Sequence, residues 1–509
     1  MLARAVSYGL MGIDGFEVTV EVNLSQGLPS FEIVGLPDAA VRESKERVRT
    51  AMKNSGFGFP EGRITVNLAP ADMRKEGPAF DLPIAVGLLA AWGKVDAQAL
   101  SGAAFFGEMA LDGALRGVRG ALPLAVSARA QGVKTLYVPA ENARELRCVA
   151  GVAIYPVTSL KELSVQLQGD SVIEPIEPVT YETLLGERRP AMDLAYVRGQ
   201  KAAKRALEIA AAGGHNVLMV GPPGSGKTLL ARCLPTILPD MTFEEALEVT
   251  RIHSAAGAPP ETGLLIERPF RAPHHSASQP SLIGGGSHAL PGEISKAHSG
   301  VLFLDELPEY RRDVLESLRQ PMEDGFVTVA RAAAQSTYPS QFMLVCSMNP
   351  CPCGNYGSRL QPCRCTQMEI RKYLSRISGP LLDRIDLHIQ VDSVDPEAIA
   401  DNTLEEPSSA VRARVEAARA LQRKRYEGAG IPCNARLDAR TIGELCPMRE
   451  DARNLLLQAG RTMGLSSRAF TRVMKVSRTI ADLAGREYIE KPDVAEAIRY
   501  RSLDRKYWG

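Results

Sequence analysis

The chain lacks a surplus of either charge, a membrane-length apolar run and any low-complexity or repeated tract. Lys and Arg total 60 against 59 Asp and Glu, a net charge of +1. No chain-wide basic field marks it for nucleic acid, so any such surface has to be local. The longest apolar run, Leu82 to Trp92, is well short of the ~20 residues that span a bilayer. The first residues show neither a basic segment with an apolar core nor a cleavage site, which reads as a cytoplasmic protein. Cysteine is sparse and odd in number, nine in all, with four crowded between 351 and 365. That pattern suits a metal site or reduced thiols better than a secreted disulfide framework.

What is present is a soluble-type composition, 45% hydrophobic and 23% charged, over 509 residues. This length exceeds one core and implies about three domains. Residues 1 to about 165 alternate β-like runs (Val18 to Val22, Ile64 to Leu68) with helical stretches such as Ala39 to Asn54. Residues 166–190, with Glu174-Pro175 and Glu177-Pro178, read as a linker. From 191 to about 394, apolar strands alternate with helices, as in a parallel α/β sheet. Residues 395–509 read as a small helical lid: Ser409 to Tyr426 is strongly basic, Asp451 to Thr462 is amphipathic, and Ser467 to Ala484 carries scattered Arg.

The most informative stretch is Gly221-Pro222-Pro223-Gly224-Ser225-Gly226-Lys227-Thr228. It fits G-x-x-x-x-G-K-[ST], follows the apolar run Val217 to Val220, and leads through Leu229 into a helical pattern. Its glycines let backbone N–H groups turn inward around phosphates at the positive end of the new helix. Lys227 reaches the β- and γ-phosphates and Thr228 offers its hydroxyl to Mg²⁺, so a nucleoside triphosphate is the expected ligand. Downstream, Val301 to Leu304 is an apolar strand ending in Asp305-Glu306. Asp305 suits the water shell of Mg²⁺, and Glu306 suits polarisation of the attacking water. A third strand, Phe342 to Cys346, ends at Asn349, whose amide suits the water or γ-phosphate from the far side. Sites of open α/β sheets lie at the carboxyl ends of strands, which places the three features together.

Arg384, within Gly379 to Asp386, has two readings: a finger reaching a neighbouring subunit's γ-phosphate, or an ordinary Arg–Asp surface pair. Cys351, Cys353, Cys363 and Cys365 supply four thiolates in two close pairs, the set a tetrahedral structural Zn²⁺ takes, although C-x-C is tighter than the common spacing. Free thiols are the competing reading. His274, His275, His288 and His298 have no ligand spacing and read as loop residues.

The order of these parts resembles the AAA+ ATPases, more closely the magnesium-chelatase-like branch, and within it the ComM/YifB family. The resemblance covers nearly the whole chain and rests on Gly199 to Leu207, Phe270 to Ser276, Asn349 to Gly354 and Leu381 to Asp386. It implies an AAA+ core with a parallel sheet and helical lid, behind an N-terminal α+β domain. It also implies Lys227 and Thr228 as Walker A, Asp305 and Glu306 as Walker B, Asn349 as sensor 1 and Arg384 as the arginine finger. Arg468 falls at sensor 2, with Arg472 one turn later as its rival, and Val197 is the adenine-contact candidate. A finger acting in trans implies a ring, here a homo-hexamer. Residues 76–140 resemble the proteolytic domain of Lon, but Ala79 and Phe80 stand where the Ser nucleophile belongs, and Gly120 to Ala125 offers no Lys. Peptidase activity is therefore not expected. Asp81 in its apolar segment reads as a satisfied buried carboxylate or a helix cap.

Two segments look like channel loops: Gln279 to His288, and a hairpin from Val327 to Arg331 returning through Ser336 to Tyr338. Arg331 is the candidate DNA contact at the hairpin tip, against the plainer reading of an exposed loop Arg. The basic run Arg412 to Arg425 is open between phosphate contacts and a solvated helix face. For ComM-like proteins the resemblance implies a hexameric DNA helicase, using ATP and Mg²⁺, that drives branch migration as incoming DNA recombines in natural transformation. A metal-chelatase-like motor and an AAA+ remodeller of protein complexes are the alternatives. Recombination proteins are possible partners, and no membrane is expected.

Overall fold

The computed structural model describes all residues except 171–172, 187, 189–191, 287–288, 332–333, 358–360, 394–403 and 509, and the side chains of 330, 331, 334, 439 and 504–506. The chain divides into two compact units, 1–187 with 243–266, and 188–242 with 267–509.

The N-terminal unit is built on a mixed seven-stranded sheet. From one edge its strands are Ser30–Val34, Arg63–Ala69, Asp14–Ser25, Leu2–Met11, Ala103–Phe105, Thr135–Pro139 and Ala153–Val157. Alternation decides its faces: Val18, Val20 and Val22 face the core, as do Ile64, Val66 and Leu68 on the antiparallel neighbour. Helix Ala39–Asn54 starts where the Asp38 carboxylate accepts from Val41 N at 2.8 Å, a regular N-cap. The long apolar run is helix Asp81–Ala91, buried on every side, which explains why it shows no amphipathic period.

Asp81 begins that helix and is fully buried. Arg47 grips its carboxylate with two N–H donors at 2.7 and 3.0 Å, and Met109 N donates a third hydrogen bond at 3.1 Å. It is thus a satisfied buried carboxylate, and Arg47 is the group that satisfies it.

Residues 243–266 leave the second unit just after its phosphate-loop helix and are built into the first. Along helix Phe243–Ala255, Arg251 donates to Ile13 O at 2.6 Å and pairs with Asp14. Ser254 donates to Glu145 at 2.7 Å, and its carbonyl accepts from Gly120 N at 3.1 Å. By its contacts this stretch, inside the 191–394 span read from the sequence, groups with the N-terminal unit.

The second unit carries an all-parallel five-stranded sheet. Its order is Phe270–Arg271, Val301–Leu304, Met343–Met348, Val217–Val220, Leu387–Gln390. The three central strands are buried throughout and read as continuous apolar runs. Helices Ser408–Arg425, Glu450–Met463, Ser467–Leu483 and Lys491–Arg499 follow and belong to the same unit. No helix among the described residues is long and apolar enough to cross a membrane.

Removing one partner of a buried ion pair typically costs about 3–5 kcal/mol, because the other charge is left buried and unpaired. Arg47→Met is therefore expected to lower the urea midpoint of the N-terminal unit sharply. An unchanged midpoint would show that Asp81 is satisfied without Arg47.

Candidate functional site

Strand register assembles the site. Val220 lies beside Met348 and Leu304 beside Cys346, so Gly221, Asp305 and Asn349 leave the sheet at the same edge. Gly221 N donates to Met348 O at 3.2 Å across that edge.

The loop after Val220 turns through Gly224 (φ 76°) and Gly226 (φ 85°), a left-handed backbone that favours glycine, and the helix begins at Lys227. Lys227 Nζ lies back across the loop, 2.8 Å from the carbonyls of Gly221 and Pro222 and 3.4 Å from Asn349 Oδ1. Burial pulls this ammonium below its ordinary pKa, while the carboxylates of Asp305 and Glu306 oppose the shift. Thr228 Oγ1 donates to Asp305 Oδ2 at 2.9 Å; the other Asp305 oxygen accepts from the Ser347 hydroxyl and, at 3.0 Å, from Glu306 N. Hydroxyl and carboxylate oxygens converging there are the hard donors Mg²⁺ prefers. The loop backbone and the Lys227 ammonium, here held on the loop carbonyls, are the groups beside these donors that could hold phosphate.

Pro222 and Gly226 are half-buried, Ser225 is buried, and Pro223 and Gly224 form the exposed tip of the loop. Leu229 is 37% exposed, an apolar surface open beside the helix start. Gln200 Nε2 ties Ser225 O (3.3 Å) to Asp392 O (2.5 Å). Val197 is buried, its N–H bonds Leu194 O at 3.0 Å, and its carbonyl accepts from Lys204 Nζ at 2.5 Å. Its side chain and both backbone groups are thus already engaged.

Glu306 is exposed and has φ 53°. Its carboxylate lies 3.5 Å from His275 Nδ1. The His275 ring lies tilted against His274, with centroids 4.0 Å apart, and stands edge-on to Tyr310, whose hydroxyl donates to Pro273 O at 2.6 Å. Sequence reasoning singled out the Phe270 to Ser276 stretch yet left His275 as a loop residue, and it gave Ser347, at the end of the third strand, no role. An open cavity of about 460 Å³ beside Glu306 and Asn349 is walled by Glu309, Lys372, Tyr373 and Arg376.

The other predicted arginines are placed differently. Arg384 is buried, donating to Pro380 O at 2.7 Å and pairing with Glu323 within its own chain. Arg468 is exposed at the start of helix Ser467–Leu483. Arg472, one turn on, pairs with buried Asp386. Burial alone would raise the Asp386 pKa, but Arg472, His215 and the Asn216 N–H hold it well below the carboxylate range.

The four cysteines come together, their sulfurs within 4.8 Å of one another. Three Sγ···Sγ separations are 3.4, 3.7 and 3.7 Å, close to the about 3.8 Å edge of a tetrahedron with Zn–S bonds of about 2.3 Å. Burial pushes the Cys351 thiol up to about 12, while the N–H groups of Arg364 and Asn355 bring Cys353 down to about 6. The donor set fits zinc.

Strands Phe326–Arg331 and Ala334–Pro339 form the expected antiparallel hairpin. Arg331 ends the first strand, and its side chain lies outside the described residues. In the other loop Gln279–Ile283 is helical, and Gly284–Gly285 pairs with Leu290–Pro291. His288 lies outside the described residues. Tyr338 joins the two segments through a 2.9 Å bond to Ala289 O. In the basic run, Arg412 bonds Thr236 O and Asp240, Arg414 pairs with Glu208 and Glu406, Arg419 bonds Ala211 O, and Arg425 grips Asp482. Those four guanidiniums bind the protein itself, which removes them from a phosphate track.

Family models for magnesium chelatase subunit ChlI match residues 193–399 and 20–142, and the model for its C-terminal part matches 405–501. The chain is 44% identical over 507 residues to the competence protein ComM of Haemophilus influenzae, covering 99% of this chain and 98% of ComM. It is 43% identical over 505 residues to the YifB protein of Salmonella typhimurium, again covering 99% and 98%. The likeness to the magnesium-chelatase 67 kDa subunit of Chlorobaculum parvum is narrower: 31% over 158 residues, 30% of this chain and 22% of that subunit.

Thr228→Val removes one oxygen donor and keeps the side-chain size. It is expected to weaken the binding of a fluorescent ATP analogue about tenfold or more with Mg²⁺ present, ~1.4 kcal/mol, and to change it little in chelator. Equal losses in both conditions would contradict a metal role for the hydroxyl.

Proposed function

The chain belongs to the ComM/YifB family of magnesium-chelatase-like AAA+ proteins, and from that membership we propose an ATP-driven DNA motor. In this reading it is a hexameric helicase that promotes branch migration during homologous recombination of incoming DNA in natural transformation. The observation that carries the proposal is the 44% identity to a competence protein over 99% of this chain, whereas the match to the magnesium-chelatase 67 kDa subunit is 31% over 30% of it. The family implies ATP and Mg²⁺, and the site is built for both.

Within the site, Lys227 neutralises phosphate charge, and Thr228 with Asp305 holds the Mg²⁺ that, when bound, draws charge from the phosphate oxygens. Glu306 polarises the attacking water and Asn349 fixes it from the opposite side. Leu229 and the segment around Val197 flank the base, and Arg468 contacts the nucleotide from the lid. Arg384 acts on a neighbour's nucleotide, for which it has to leave Glu323. The hairpin presents Arg331 to DNA phosphates, and the four cysteines hold a structural Zn²⁺.

The test is ATP turnover with and without DNA. Wild type is expected to be stimulated by single-stranded or branched DNA. Glu306→Gln should bind ATP normally and lose about 10²-fold or more in kcat, the usual weight of a general base. Arg384→Ala subunits mixed with Glu306→Gln subunits should regain turnover, since each supplies what the other lacks. Turnover indifferent to DNA would favour a protein remodeller, and no recovery on mixing would remove the finger role.

A further inference from the structure

The four-cysteine loop is part of the wall of the phosphate site. Cys351 stands two residues after Asn349, which itself lies 3.4 Å from Lys227 Nζ. The loop folds back at once: Gly354 N donates to Cys351 O at 3.0 Å, and Tyr356 N donates to the buried Cys351 sulfur at 3.3 Å. At that turn Gly354 has φ 81° and its backbone lies against the Pro223 ring. A Cβ on residue 354 would sit 2.5 Å from Pro223 Cδ and 2.8 Å from Cγ. Pro223 belongs to the exposed tip of the phosphate loop. The tip is therefore backed by a turn whose shape four thiolates around one ion would fix.

We propose that metal occupancy of the Cys351, Cys353, Cys363 and Cys365 cluster sets the conformation of the phosphate loop through the Gly354–Pro223 contact, so that zinc and ATP binding are coupled. The inference rests on the zinc reading above and goes beyond it. With the ion in place, residues 351–365 are cross-linked and the loop tip has a fixed neighbour. Without it the turn is free to open, and nucleotide binding has to order the turn as well as the loop. Linkage makes the effect reciprocal: zinc tightens ATP, and ATP tightens zinc by the same factor.

The experiment uses the full chain, purified under reducing conditions. Zinc content is measured first. A fluorescent ATP analogue is then titrated into loaded, chelator-stripped and zinc-restored protein, with circular dichroism checking that the stripped chain stays folded. Stripping is expected to weaken the analogue at least about fivefold, reversibly, and saturating ATP to slow zinc capture by a chromogenic chelator. Gly354→Ala reports without metal removal: it should keep its zinc and still bind the analogue more weakly, since its new methyl pushes on Pro223 at a backbone angle that favours glycine. Fresh reduced protein without zinc would overturn the zinc reading itself. Zinc-loaded protein whose ATP affinity survives both stripping and Gly354→Ala would overturn the coupling alone.

Discussion

Three adjacent parallel strands end within two residues of one another, and the phosphate-loop unit is arranged around that alignment. Val220 stands level with Met348, and Leu304 level with Cys346 two residues earlier on that strand, so the phosphate loop, the Asp305-Glu306 pair and Asn349 all leave the same edge of the sheet. Side chains alternate along a strand, so a one-residue slip of Val301–Leu304 would turn Asp305 to the other face. It would then lose both the Thr228 hydroxyl and the Ser347 hydroxyl. The apolar burial of all three strands resists such a slip, because sliding any of them exposes Val or Leu and buries a polar end. The chemistry is thus held in place by ordinary packing below it.

A second tier of constraints joins that sheet to the helices that follow it. Asp386, at the start of the last strand, accepts from Asn216 N at 2.9 Å and pairs with Arg472. His215 bonds Thr479 at 2.7 Å, Asn434 bonds Thr479 and Asp482 at 2.9 Å, and Arg425 and Arg478 close on Asp482. Buried networks of this kind are stable only when every member is satisfied, so they admit few alternative positions for the helices they join. Helix Ser467–Leu483 carries Arg468 at its exposed end and ties Arg472 into this network through Asp386.

The parts legible in the sequence were those whose chemistry is local. The phosphate loop is a backbone device written in glycines, the cysteine cluster announces itself by four thiols in one short stretch, and the hairpin shows its Val-Thr-Val alternation. The Lon-like resemblance of the first unit is compatible with its mixed sheet, and the missing Ser is plain at Ala79. What stayed hidden depends on long-range partners. The period of helix Phe243–Ala255 says that one face is covered but not that Ile13, Asp14 and Glu145 cover it. The charges of Arg412 to Arg425 are visible, whereas most of their carboxylate and carbonyl acceptors, such as Glu208, Ala211, Thr236 and Asp482, lie far away in sequence. His275 reads as one of several loop histidines until the fold sets it beside Glu306, and a run such as Leu381 to Asp386 does not reveal that Glu323 holds Arg384.

The most direct test of the central claim is movement of the branch point in a synthetic four-way DNA junction, followed by strand-exchange products on a gel, with Lys227→Ala as the inactive control. An ATP-driven DNA motor resolves the junction into exchanged duplexes with hydrolysable ATP and leaves it intact with a non-hydrolysable analogue. Wild-type protein that hydrolyses ATP in the presence of the junction yet never moves its branch point would contradict the account.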